Sequence, residues 1–226
     1  MDTVLQIKWP LPGILGISIV LGLVLSAIII YLVYKYYETK EQKRIHDYQL
    51  FLFQAKRKGL TNFQIKILRN MASHLKLSNP RKLTTDPSMF ESSLSDFLEY
   101  LKGQSEVSEN LTSIFRDLSM IYERLYIVTL GRTSLESMVQ LEDGEILYIT
   151  TESGATYLAK IAGRGGNFLT LKLFIPAKNL KDFENEQKVS LHVIRINDAE
   201  YLINTVTMGI DLGFLKVRIS DDIIKE

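Results

Sequence analysis

Residues 14–34 read ILGISIVLGLVLSAIIIYLVY, a run without a single charged side chain. At 1.5 Å rise per residue, such a run crosses a hydrocarbon core of ~30 Å as a helix. Lipid offers no partner for backbone N–H and C=O groups, so the run must satisfy them internally. Ile14, Leu15, Ile19, Leu23, Ile28, Ile30, Leu32 and Tyr34 are the anchor residues of this reading. Trp9 on one flank, and Tyr31, Tyr34, Tyr36 and Tyr37 on the other, sit where interfacial aromatics are favoured. A cleaved signal peptide would place basic residues before a shorter apolar run and end it with small residues. Here the basic residues follow the run, and Ile28 to Tyr37 offers no such site.

The flanks set the expected orientation. Asp2 and Lys8 precede the span, whereas Lys35, Lys40, Lys43 and Arg44 follow it, with Lys56, Arg57 and Lys58 further on. The positive-inside rule puts the C-terminal side in the cytoplasm. The chain therefore reads as a single-pass membrane protein, touching lipid through one helix and carrying most of its length on the cytoplasmic side.

The full chain has 226 residues, net charge +1 and no cysteine. A disulfide framework, a thiolate metal site and a cysteine nucleophile are thereby excluded. The near-neutral balance supplies no field for nucleic acid, which is not an expected partner.

Periodicity divides the rest. Residues 1–13 hold Pro10, Pro12 and Gly13 and read as a short lead-in. Beyond the span, Ile45, Tyr48, Leu52 and Ala55 recur at helical spacing, so the helix continues to about Lys58-Gly59. Thr61 with Gln64 forms a capping box for a second helix, whose buried stripe is Phe63, Ile67, Leu68, Met71 and Leu75. Asn79-Pro80 breaks it, and Arg81 to Thr85 reads as a polar connector. Asp86-Pro87 starts a third helix with Phe90, Leu94, Phe97, Leu98 and Leu101 inward, ending at Lys102-Gly103. A fourth runs from about Glu106 to Val128, with Leu111, Ile114, Phe115, Leu118, Ile121, Tyr122 and Leu125 inward, and stops at Gly131.

From Gly131 the spacing changes to short β-rich runs. Six strands are expected, over 145–150, 156–162, 168–174, 189–196, 200–207 and 214–219. Glu152-Ser-Gly154, Gly163-Arg-Gly-Gly166 and Asn197-Asp198 are the turns between them, and such short links imply antiparallel hairpins; Pro176 to Glu186 is the long connection. Six strands without intervening helices fit a small β-barrel or a sandwich. The expected domains are thus a lead-in (1–13), a transmembrane helix (14–34), a small helical bundle (35–130) and a β domain (131–226). The fold class is α+β.

Few residues point to chemistry. His46, His74 and His192 lie far apart, without acidic neighbours at ligand spacing, so no metal site is expected. The chain has no G-x-S-x-G elbow, Walker loop or H-E-x-x-H helix, so no catalytic residue and no cofactor site is assigned and an enzyme is not expected. Glu142-Asp143 and Asp221-Asp222 read as solvated carboxylates, and Asn110-Leu-Thr112 as a chance sequon. Arg164 with Gly165 and Gly166 is the weak candidate for an anion nest, although no helix N-terminus follows it. A hairpin turn is the favoured reading.

The order Gly144-Glu-Ile-Leu-Tyr-Ile149, Thr156-Tyr-Leu-Ala-Lys-Ile161, Phe168-Leu-Thr-Leu-Lys-Leu173, Pro176, Lys188-Val-Ser-Leu-His-Val-Ile-Arg195 and Tyr201-Leu-Ile-Asn-Thr-Val206 resembles the N-terminal domain of flagellar brake (YcgR-type) proteins. Phe53-Gln-Ala-Lys-Arg-Lys-Gly-Leu-Thr61, a helix and then Asn79-Pro80 resemble the helical segment of membrane-anchored PilZ-family proteins of the spirochaete type. The resemblance implies a six-stranded antiparallel split β-barrel. It also implies a non-catalytic, membrane-anchored adaptor or structural protein whose protein partner is the flagellar motor or its regulators. PilZ domains that bind cyclic di-GMP carry R-x-x-x-R and a later (D/N)-x-S-x-x-G. No arginine pair here has that spacing, and Ser153-Gly154 does not match the second motif. A cyclic di-GMP-responsive receptor, with an unrecognised or partner-completed site, is therefore the alternative and not the reading adopted.

Overall fold

The computed structural model describes residues 13–102, 111–127, 134–174 and 183–226. Contacts divide the chain into two units, one ending at His46 and one from Asp47 to Glu226. The described part of the first is helical from Ile14 on. Helix α1 spans Ile14–Arg57 without interruption, so the expected span and its amphipathic continuation form one element. Residues 17–46 are exposed throughout. This helix is long and apolar enough to cross a membrane, and none of its apolar window is buried.

The second unit begins with the last turns of α1, where Phe51 and Ala55 are fully buried. Helix α2 (Asn62–His74) opens on the expected capping box: Thr61 accepts from the Gln64 N–H, and Gln64 accepts from the Thr61 N–H. The segment expected to be a polar connector is a short 3-10 helix (Pro80–Thr84) that fully buries Leu83. Helix α3 (Pro87–Lys102) is capped by the Asp86 carboxylate, which accepts from the N–H groups of Ser88 and Met89. Helix α4 spans Leu111–Tyr126.

One expected core position is corrected: Phe63 is 53% exposed, while Ile65 is buried. Helical spacing defines a stripe, but the neighbours decide which edge of the stripe is covered. On α3 the expected five residues are all buried. The proposed helix end at Gly103, the start at Glu106, Val128 and the Gly131 boundary lie outside the described residues, as do Asp2, Lys8, Trp9, Pro10, Pro12, Asn110 and Pro176.

Seven strands follow among the described residues: β1 (Ile146–Thr151), β2 (Thr156–Arg164), β3 (Phe168–Leu173), β4 (Lys188–Arg195), β5 (Ala199–Asp211), β6 (Phe214–Arg218) and β7 (Ile223–Lys225). All pair antiparallel, in the order β4-β1-β2-β3-β6-β5-β7, and a further β4–β5 ladder makes the pairing ring-like. This corrects the expected six-stranded split barrel. Strand β5 is longer than foreseen and outruns β6. Its N-terminal half therefore takes a seventh strand, pairing Tyr201, Leu202 and Ile203 with Lys225, Ile224 and Ile223. Where β5 passes from β7 to β6, the register slips between Thr207 and Ile210, and Gly209 there has φ +87°, a conformation side chains resist.

Helix α4 packs on β1, β2 and β4. One apolar core runs from the helices into the strands, through Phe90, Leu98, Phe115 and Leu118 to Leu147, Leu191 and Val217. Leu98 is 1% exposed, and Leu98→Ala leaves a cavity the packed core cannot close. Its expected cost is about 2–5 kcal/mol, against about 0.5 kcal/mol or less for Phe63→Ala at the surface. Urea denaturation of the full chain in detergent, followed by tryptophan-independent far-UV dichroism, measures the two midpoints.

Candidate functional site

The polar groups of the β domain gather where α4 meets the sheet. Register puts Tyr148 of β1 opposite His192 of β4, and their rings stack at 4.2 Å with 8° between planes. Glu200 of β5 stands at the same seam. Its carboxylate accepts the Tyr148 hydroxyl and pairs with Arg116 of α4 at 2.8 Å. His192 Nε2 lies 3.3 Å from the Thr150 hydroxyl, and Nδ1 lies 3.8 Å from Glu200, too far for a hydrogen bond. Among the described residues, buried Nδ1 finds no hydrogen-bond partner. A neutral imidazole protonated on Nδ1 keeps its lone pair away from the carboxylate and lets Nε2 accept from Thr150. Burial holds the His192 pKa below its ordinary value, outweighing the opposing pull of Glu200 and Glu226. Burial and the Glu200 contact push the Tyr148 hydroxyl up, so it stays a donor.

A second polar link lies beside the first. Glu91 of α3 accepts from Lys160 of β2 at 2.6 Å and from Tyr122 of α4 at 2.9 Å. Through these two carboxylates the helices are tied to the sheet by bonds with direction, in addition to apolar packing.

Next to the His192 seam, the sheet face opens into a groove of 820 Å³ lined by Thr150, Ser190, His192 and Asn204, with Lys188 and Arg218 among the charged lining residues. Ser190 donates to Asn204 at 3.0 Å, and Asn204 donates to Asp222 at 3.0 Å. Hydroxyl, amide and imidazole groups on rigid strands can orient a small polar molecule.

The residues singled out by sequence lie elsewhere. Ile19, Leu23, Ile28, Ile30, Leu32 and Tyr34 are exposed on α1, as are Lys35, Lys40, Lys43 and Arg44. Ile14 and Leu15 belong to that helix, their side chains being outside the described set. Arg164 donates to the Leu141 carbonyl at 2.7 Å, which turns the guanidinium to the chain itself. Gly165 sits under the Phe168 ring, where an added Cβ would meet ring carbon at 2.2 Å, and its N–H bonds the Phe168 carbonyl. This loop with Gly166 is a packed hairpin turn. His46 is exposed, and His74 stacks on Tyr100 at 3.7 Å. Among the described residues no three His, Cys, Asp or Glu side chains converge as metal ligands.

Sequence reading grouped His192 with the other histidines and passed over Thr150 and Glu200. The available signal was the alternation in Lys188-Val-Ser-Leu-His192, which puts Lys188, Ser190 and His192 on one face. Comparison with protein-family models and with curated proteins finds no match to the chain.

The His192 geometry fixes a pH dependence. Its folded pKa lies below the unfolded value of about 6.5, so the unfolded chain takes the proton first. This contribution to stability is complete above pH 6.5 and falls as the pH drops below it. The loss of stability from pH 7.5 to pH 5 is therefore expected to be smaller in His192→Gln than in the wild type, as read from urea midpoints. Equal losses would refute the assignment.

Proposed function

We propose that the chain is a single-pass, membrane-anchored adaptor that catalyses no reaction and holds its folded β domain on the cytoplasmic face of a bacterial inner membrane. The observation that carries this reading is the exposed apolar face of α1 from Ile17 onward. Leu23 and Ile30 are 65% and 68% exposed, and apolar side chains project on every side of the helix. Water is a poor solvent for such a surface, at roughly 25 cal/mol per Å², whereas lipid accepts it without cost. A core helix would be covered by its own chain. A signal sequence would carry its basic residues ahead of the apolar run, whereas here Lys35, Lys40, Lys43 and Arg44 follow it.

Orientation rests on Lys35, Lys40, Lys43 and Arg44, which follow the apolar run and are exposed. The adaptor role rests on the character of the second unit. Its core is dense, and the seam carboxylates Glu91 and Glu200 are engaged in pairs that hold helix to sheet. The likeness in sequence pattern to flagellar brake proteins supports the motor or its regulators as the protein partner. An anchor confines such a module to the membrane plane and raises its effective concentration at partners there.

The full chain, with a compartment-sensitive reporter fused after Glu226, is expected to give a cytoplasmic signal and to stay with membranes through alkaline extraction. Replacing Leu23 and Ile28 together by lysine, at roughly 3 kcal/mol each near the bilayer centre, should release it to the soluble fraction. A periplasmic signal would invert the orientation, and extraction of the unmodified chain would remove the anchor.

A further inference from the structure

The groove beside His192 has a regular ground plan, because register lays out its face in rows. Tyr148 stands opposite His192, which stands opposite Leu202; Thr150 stands opposite Ser190, then Asn204. In the next row Lys188 pairs with Val206. Thr207 pairs with Val217, so the same register sets Val206 opposite Arg218, and the Arg218 carbonyl accepts the Thr205 hydroxyl. Cross-strand partners share a face of the sheet. Lys188 and Arg218 therefore flank Val206 on one face, two strand spacings or about 10 Å apart at the backbone. Both line the groove.

Among the described residues the side chains of Lys188 and Arg218 make no hydrogen bond or ion pair. Two carboxylates share the lining, Glu152 and Asp222. Asp222 closes the row of Asn204 and is engaged by that amide, and Glu152 follows β1 in the exposed turn. The row between Lys188 and Arg218 thus holds one apolar side chain and two open cations. Beside it stands a row of hydroxyl and amide groups, with the hydroxyl of Ser190 already aimed at Asn204. Long basic side chains approaching from both flanks converge on an anion placed over Val206, where charge-assisted bonds are the strong ones.

We propose that this groove is a binding site for a small hydroxylated organic anion, with its carboxylate or phosphate head over Val206 between Lys188 and Arg218 and its hydroxyl groups over Ser190 and Thr150. Leu202 and Ile219 supply apolar contact for the carbon skeleton. At 820 Å³ the groove is of the size small-molecule sites have, roughly 300–1,000 Å³. The site goes beyond the membrane-adaptor reading and stands independently of it, since every residue involved lies in the second unit.

The test uses the full chain in detergent micelles, with the histidine ring resonances followed as citrate, glycerol 3-phosphate or inorganic phosphate is added. A saturable shift of the His192 ring is expected with citrate or with glycerol 3-phosphate, and the stronger of the two tells whether the head is carboxylate or phosphate. Inorganic phosphate, which lacks the hydroxylated body, should bind more weakly. Lys188→Met and Arg218→Met should each weaken binding about tenfold, with unchanged thermal melting because both are exposed. Glu152→Gln should tighten it by removing a competing charge. No saturable shift with any of the three probes, or wild-type affinity in both methionine variants, would overturn the proposal.

Discussion

Strand β5 is the constraint on which the β domain depends. Among the described strands it alone is bonded to three others, β4 along its first half, β7 across Tyr201 to Ile203 and β6 from Thr207 on. A straight strand could not serve both ends of the series. The register slip near Gly209 lets β5 leave one neighbour and meet another, and local twist increases at such an irregularity. Every other described strand is then held on both sides, apart from the short β7. The inward faces of Leu147, Leu191, Ile203 and Val217 converge to nothing exposed, which is how this small domain gathers a core without a second sheet.

The seam between helix and sheet follows from that closure. A strand face turned outward on a ring must meet water or be covered, and α4 covers only part of it. Where it does, Glu200 and Glu91 accept from partners on neighbouring elements. Part-buried polar contacts of this kind add less to stability than their number suggests, because each group gave up some water and solvent screens the rest. Their effect is to fix the rotation of α4 on the strands, since an apolar seam alone would tolerate sliding. Where α4 does not reach, the same outward face remains as the groove.

Much of this was legible beforehand. The apolar run, the Thr61–Gln64 box, the Asp86 cap and the α3 stripe are local patterns, and local patterns survive folding. Six strands were placed within a few residues of where they lie, because alternation and turn residues mark them. Other features are not local. Strand β7 is only three residues long and exists because β5 offers an unpaired stretch far from it in sequence. Phe63 carried the helical spacing of a core residue and was left at the edge of the bundle by its neighbours. The His192 seam required a register between β1, β4 and β5, and register is a property of three strands at once. For the same reason Arg164, conspicuous in a glycine-rich loop, was easier to notice than Lys188 and Arg218, which lie 30 residues apart in sequence and on one row in space.

The ring of pairings also governs the order in which the chain can fold. The β4–β5 and β5–β6 hairpins join near neighbours, while β1–β4 and β3–β6 bring together strands separated by long stretches of sequence. Closing such loops costs chain entropy before any contact repays it, and non-local pairing slows folding. The helices, by contrast, form from local contacts and leave the ribosome first. A newly made chain thus presents α2, α3 and α4 while its strands are still emerging, with Phe115 and Leu118 awaiting the sheet that covers them. Interrupted synthesis would leave that apolar surface bare, so the late arrival of β5 sets the period during which the nascent chain is most open to misassociation.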